Sequence, residues 1–132
     1  FTVSPVRHIK DGFVENQQSK AHLIAALQGF LQENKQHYYF PAFEIMMDEL
    51  RDYRFYAEDM VHPSTVAVDY IWQRLVDAYM TADTQNEMRI LHQLWRDRHH
   101  RFLHPESDEA QSFQEKMCKR LQDIQQRYPW IK

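Results

Sequence analysis

The chain has 132 residues, 43% of them hydrophobic, which suits one domain with a real core and leaves too little for two independent ones. A net charge of −3 supplies no field to hold nucleic acid or an anionic membrane, and no apolar run approaches the roughly 20 residues needed to span a bilayer. The single cysteine, Cys118, excludes an internal disulfide and the paired spacings of structural zinc; no metal and no cofactor are expected.

Phe1 to Val3 reads as a short buried strand closed by Ser4-Pro5. Because the chain opens without Met and is strand-like at once, its N-terminus reads as cut from a longer protein. The polar stretch that follows to Gln18, with Asp11-Gly12 marking a turn, reads as a loop. From Ser19, a suitable N-cap, Leu23, Ile24, Leu27, Phe30 and Leu31 fall at helical offsets. Tyr38, Tyr39, Phe40, Ala42 and Phe43 then read as a second strand buried on both sides, despite Pro41. Strand, crossover helix and strand predict a βαβ unit and hence a parallel sheet. Two short strands do not stand alone in water, so the sheet is expected to continue into sequence outside these residues.

Between Glu44 and Asp59 charges are interspersed with Leu50, Tyr53, Phe55 and Tyr56, which fits irregular structure or a short helix. After His62-Pro63-Ser64, a stripe of Val68, Ile71, Trp72, Leu75 and Tyr79 predicts a helix opened by Pro63 or Ser64 and packed on the sheet. Two more helices are predicted, from about Thr84 to Phe102 and from Ser107 to about Tyr128, separated by Pro105 and folded as an antiparallel hairpin. The fold class is therefore α/β, with two short parallel strands, an α-helical C-terminal extension and mostly helical content.

Asp59-Met60-Val61-His62-Pro63 places a carboxylate three residues before an imidazole. Pro63 biases His62 away from helical dihedrals, so both side chains can share one loop. A carboxylate that accepts one ring N–H fixes the tautomer and leaves the other nitrogen to take a proton from a hydroxyl nucleophile. The bland alternative is a capping aspartate beside a surface histidine.

Two stretches, FTVSPVRHIKDG at Phe1 to Gly12 and YFPAFEIMMDELRDYRFYAEDMVHPS at Tyr39 to Ser64, resemble the closing blocks of the GSCFA family, itself similar to the SGNH (GDSL-like) hydrolases. The resemblance covers about residues 1 to 75. It implies that residues 1–83 are the C-terminal part of an SGNH-like α/β domain, with residues 84–132 a helical hairpin packed on it. It implies a serine esterase or acyltransferase acting on a small-molecule or carbohydrate acyl ester. The final block of those hydrolases is D-x-x-H, which makes Asp59 the orienting acid and His62 the general base. The Gly-Ser-Cys-Phe-Ala block that would bring the nucleophile does not occur in this sequence, so the N-terminal half of the same protein is the implied partner.

The serines present are Ser4, Ser19, Ser64, Ser107 and Ser112. Ser64 reads as an N-cap, and Ser4 as a turn residue bonding its own backbone, with a position near His62 the alternative. Arg7 and His8 follow that turn and either contact a substrate carbonyl or anion or make surface ion pairs. His104-Pro105-Glu106-Ser107 imitates the His62 segment, but Arg101 stands where an acid is needed. His99 and His100 point about 100° apart on a helix, which disfavours a shared metal. A non-catalytic reading also stands: a helical assembly module docking through Trp95, Phe102 and Phe113.

Overall fold

A computed structural model of the chain describes residues 1–131. Helix makes up 66% of it, in five helices, and no strand or sheet is present among the described residues. The expected α/β class and its parallel sheet are overturned. Strands persist where their backbone groups find a ladder, and the two segments read as strands share one pair of bonds. The Phe1 amine donates to the Tyr38 carbonyl at 2.7 Å, and the Phe40 N–H to the Phe1 carbonyl at 2.8 Å. Pro41 has no N–H to extend the pairing, and from Ala42 the chain turns helical. Both segments are short extended tethers that bury Val3 and Phe40.

The chain forms two compact units, Phe1–Tyr79 and a second from Met80 onward. In the first, helix α1 spans Phe13–Glu33. It starts six residues before Ser19, so Ser19 lies inside a helix rather than capping one, and the polar stretch read as a loop is largely helical. Gly12 sets the start at φ 94°, a conformation that strains any residue with a Cβ. The inward stripe of α1 is Asn16, Lys20, Ile24, Leu27 and Leu31, the spacing of one helical face.

Helix α2, Ala42–Glu44, runs into a wide turn over Ile45–Glu49, closed by the Leu50 N–H on the Ile45 carbonyl at 3.0 Å. This i to i+5 closure is a π-turn. It carries Ile45, Met46 and Leu50 into one core with Phe40, Ala42 and Ala67, the last from helix α3, Thr65–Tyr79. Met46 is fully buried. Ile71 and Leu75 of α3 pack against this core while Val68 and Trp72 stay exposed. The expected stripe is thus rotated, and α3 meets the π-turn rather than a sheet.

In the second unit, helix α4 spans Ala82–Arg98 and α5 spans Asp108–Arg127. Thr81 caps the first by accepting from the Thr84 N–H, and Ser107 the second by accepting from the Ala110 N–H. Arg120 pairs with Asp97 at 3.1 Å and Arg127 with Glu87 at 2.7 Å, a descending register that makes the pair antiparallel, as the sequence predicts. Leu94 and Ala110 are its buried residues. Among the described residues no helix is long and apolar enough to cross a membrane.

Candidate active site

The segment from Tyr56 to Pro63 is a closed loop because its ends pair. An isolated antiparallel bridge joins Tyr56 to Pro63, with the Ala57 N–H on the His62 carbonyl and the Ser64 N–H on the Phe55 carbonyl, both at 2.8 Å. Inside it the Met60 N–H donates to the Ala57 carbonyl at 2.9 Å, and Met60 adopts φ 61°. A non-glycine residue in that left-handed region costs about 1 kcal/mol, so the surrounding bonds must hold it. The turn it makes brings the Asp59 side chain back over the following backbone.

Asp59 Oδ1 accepts from the N–H groups of Val61 at 2.9 Å and His62 at 3.0 Å, and Oδ2 lies 2.7 Å from His62 Nδ1. The His62 N–H, then the ring, then the Val61 N–H hold the Asp59 carboxyl down at about 2, from its ordinary 3.8. An ionised carboxylate only accepts, so Nδ1 carries the ring proton and Nε2 presents its lone pair. The two side chains are 62% and 50% exposed, with His62 the more open. The arrangement can accept a proton at Nε2 and stabilise the imidazolium that results.

The depressed Asp59 value has a defined consequence. The unfolded carboxyl titrates near 3.8 and the folded one near 2, so the loop's stabilisation is complete above the first value and is lost as pH falls through the second. A carboxyl carbon NMR titration should place the Asp59 midpoint near 2, with the Val61 and His62 amide shifts following it. A midpoint at the ordinary aspartate value would contradict the three-bond arrangement.

Arg7 reaches this loop from 53 positions away, its Nη1 donating to the Met60 carbonyl at 3.1 Å and its backbone N–H to the Val61 carbonyl at 3.3 Å. Its guanidinium also lies 4.0 Å from the Tyr56 ring centroid. These contacts clamp the strained turn. Arg7→Ala should cost about 1 kcal/mol in urea unfolding and speed hydrogen exchange at the Val61 and His62 amides, and Arg7→Lys should recover little, lacking the planar fork. Unchanged exchange in both variants would rule the clamp out. His8 is exposed, with its N–H on Asn16 Oδ1 at 2.8 Å.

Ser4 and Ser64 take the local roles read for them, whereas Ser19 does not. Ser4 Oγ accepts from the Val6 N–H at 3.3 Å, and Ser64 Oγ from the Ala67 N–H at 3.4 Å in the first turn of α3. The charged stretch before the dyad contributes exposed pairs, Arg51–Asp48 at 3.0 Å and Arg54–Asp52 at 3.7 Å, whose solvation leaves them little energy. His99 Nδ1 lies 2.8 Å from the Trp95 carbonyl, while the His100 ring contacts Phe102 and Phe113, so these rings diverge. Among the described residues no three His, Cys, Asp or Glu side chains converge on a metal site.

Sequence reasoning missed the clamp by Arg7 and the buried Lys20. The first had no local signal, since it joins distant segments. The second had one: Lys20 stands on the same face as Ile24, Leu27 and Leu31, where a polar residue must be buried. A model of the GSCFA family matches residues 1–75, more than half of the chain. No curated protein and no solved structure matches it.

Proposed function

The chain belongs to the GSCFA family, and on that premise we propose that it supplies the His–Asp half of an SGNH-type serine esterase or acyl-transfer site. The observation carrying this reading is the 2.7 Å contact between Asp59 Oδ2 and His62 Nδ1, on a histidine side chain that is 62% exposed. A serine from sequence outside these residues attacks the ester carbonyl, and its hydroxyl proton passes to His62 Nε2. Asp59 stabilises the imidazolium across Nδ1–H. Collapse of the tetrahedral intermediate expels the alcohol, which takes that proton and leaves an acyl-serine. Water then completes hydrolysis, or a second alcohol completes transfer, with His62 again the base. The substrate class is a small-molecule or carbohydrate acyl ester.

The test is turnover of an aryl acetate by the intact protein, including its nucleophile-bearing part. Asp59→Asn should lower kcat by about 10⁴-fold with little change in KM, because an amide in place of the carboxylate sets the wrong tautomer. Parental kcat in that variant would exclude Asp59 from the mechanism.

Exposure on the hairpin favours a second reading, an assembly surface. Trp95 is 59% exposed and Leu103 94%, whereas Phe102 and Phe113 pack on each other, 5.3 Å between centroids. In this reading the docking face is Trp95 rather than all three aromatics. Deleting the residues after Thr81 from the intact protein then abolishes concentration-dependent association in sedimentation while turnover persists.

A further inference from the structure

A cavity of about 390 Å³ lies between the Pro5–Ile9 segment, the first turns of α1, and Phe43, Met47 and Tyr53. Of its lining, Lys20 and Phe43 are the buried residues, Lys20 being only 2% exposed. Lys20 Nζ donates to the Ser4 carbonyl at 2.6 Å and sits 5.8 Å from the Phe43 ring centroid. It forms no ion pair among the described residues. An ammonium has three N–H groups, and a buried cation is stable only when an anion or full hydrogen bonding compensates it. One carbonyl and a ring face do not do so, and burial accordingly lowers the Lys20 pKa.

The rest of the wall bears on what would compensate it. No carboxylate lines the cavity, whereas Arg7 and His8 do. The Arg7 guanidinium bonds the Met60 carbonyl and faces the Tyr56 ring, and because Arg7 is only half-buried, solvent meets the rest of its demand. The start of α1 already has a neighbouring negative charge, since Glu15 Oε2 lies 2.7 Å from where a Cβ on Gly12 would stand. The unmet demand for an anion is therefore that of the buried Lys20, and the wall is mixed, Asn16 and Gln17 lining it together with Phe43, Met47 and Tyr53. One buried ammonium with Phe43, Met47 and Tyr53 on the same wall matches one negative charge on a partly apolar body better than a multiply charged phosphate.

We propose that this cavity binds a small organic carboxylate, its carboxyl group paired with Lys20 Nζ and its hydrocarbon part against Phe43, Met47 and Tyr53. The site goes beyond the ester reading and does not depend on it, because no step assigned to His62 enters the argument. A carboxylate there favours the charged amine and raises the Lys20 titration midpoint.

The experiment is an NMR titration of the 132-residue chain with hexanoate, with hexanamide as its uncharged counterpart and with inorganic phosphate. Hexanoate should give saturable shifts at the Ser4–Ile9 and Lys20 resonances and move the Lys20 Nζ midpoint upward. Lys20→Met, whose side chain keeps the length and suits a buried site, should weaken hexanoate at least tenfold. Tyr53 is 71% exposed, so Tyr53→Ala preserves the fold; it should weaken hexanoate severalfold and leave acetate unaffected. Equal affinity for hexanamide, unchanged binding in either variant, absence of saturable shifts, or phosphate displacing hexanoate from the Lys20 resonances would each overturn the assignment.

Discussion

Replacing His62 by alanine in the intact protein should lower ester turnover by about 10³-fold or more, with the fold preserved. The ring is 62% exposed, so its removal empties no packed space. The two bonds that orient the loop, from the Val61 and His62 backbone N–H groups to Asp59 Oδ1, need no imidazole and survive in the variant. What disappears is Nε2, the acceptor for the serine proton, together with the charge that Asp59 stabilises. The loss should fall on kcat rather than KM, since the ring acts on the transferring proton and not on substrate binding. Added imidazole should restore part of the rate, because the open site admits it. Equal turnover in parent and variant would remove His62 from the chemistry.

Met46→Ala should produce the largest loss of stability, about 2–5 kcal/mol. Met46 is fully buried and is carried inward by the π-turn, with Phe40, Ala42, Ile45, Leu50 and Ala67 around it. Truncation removes its transfer free energy and leaves a cavity, because the π-turn is pinned by the Leu50 N–H on the Ile45 carbonyl and cannot simply collapse. A domain of this size has about 5–15 kcal/mol of stability in all, so the shift in urea midpoint should be plain. Val68→Ala, at a position 51% exposed in α3, serves as the control and should change stability by about 0.5 kcal/mol or less. Similar midpoints for the two variants would contradict the described core.

Helices α3, α4 and α5 were legible because their signals are local. Ser64 and Ser107 cap where a hydroxyl precedes a periodic run, and Pro105 separates α4 from α5. The pairing of Asp59 with His62 was legible for the same reason, since only Met60 and Val61 intervene and so restrict where both can point. The strands were not, because aromatic composition reports burial rather than pairing. Phe40 is indeed buried, but it is buried beside a π-turn, and among the described residues no neighbouring segment offers a ladder. Helix α1 was read too short because Phe13 and Val14 are exposed and so break the expected pattern, although Asp11-Gly12 marked its start. Contacts between distant segments, such as Arg7 on the Met60 carbonyl, leave no trace in spacing.

The most direct test of the dyad is nitrogen-15 NMR of the His62 ring in its neutral form. A protonated Nδ1 held against Asp59, slow to exchange, with an unprotonated Nε2, is the predicted spectrum, and Asp59→Asn should abolish the preference. A ring protonated at Nε2, or one averaging freely between tautomers, would show that the carboxylate does not orient it and would contradict the account.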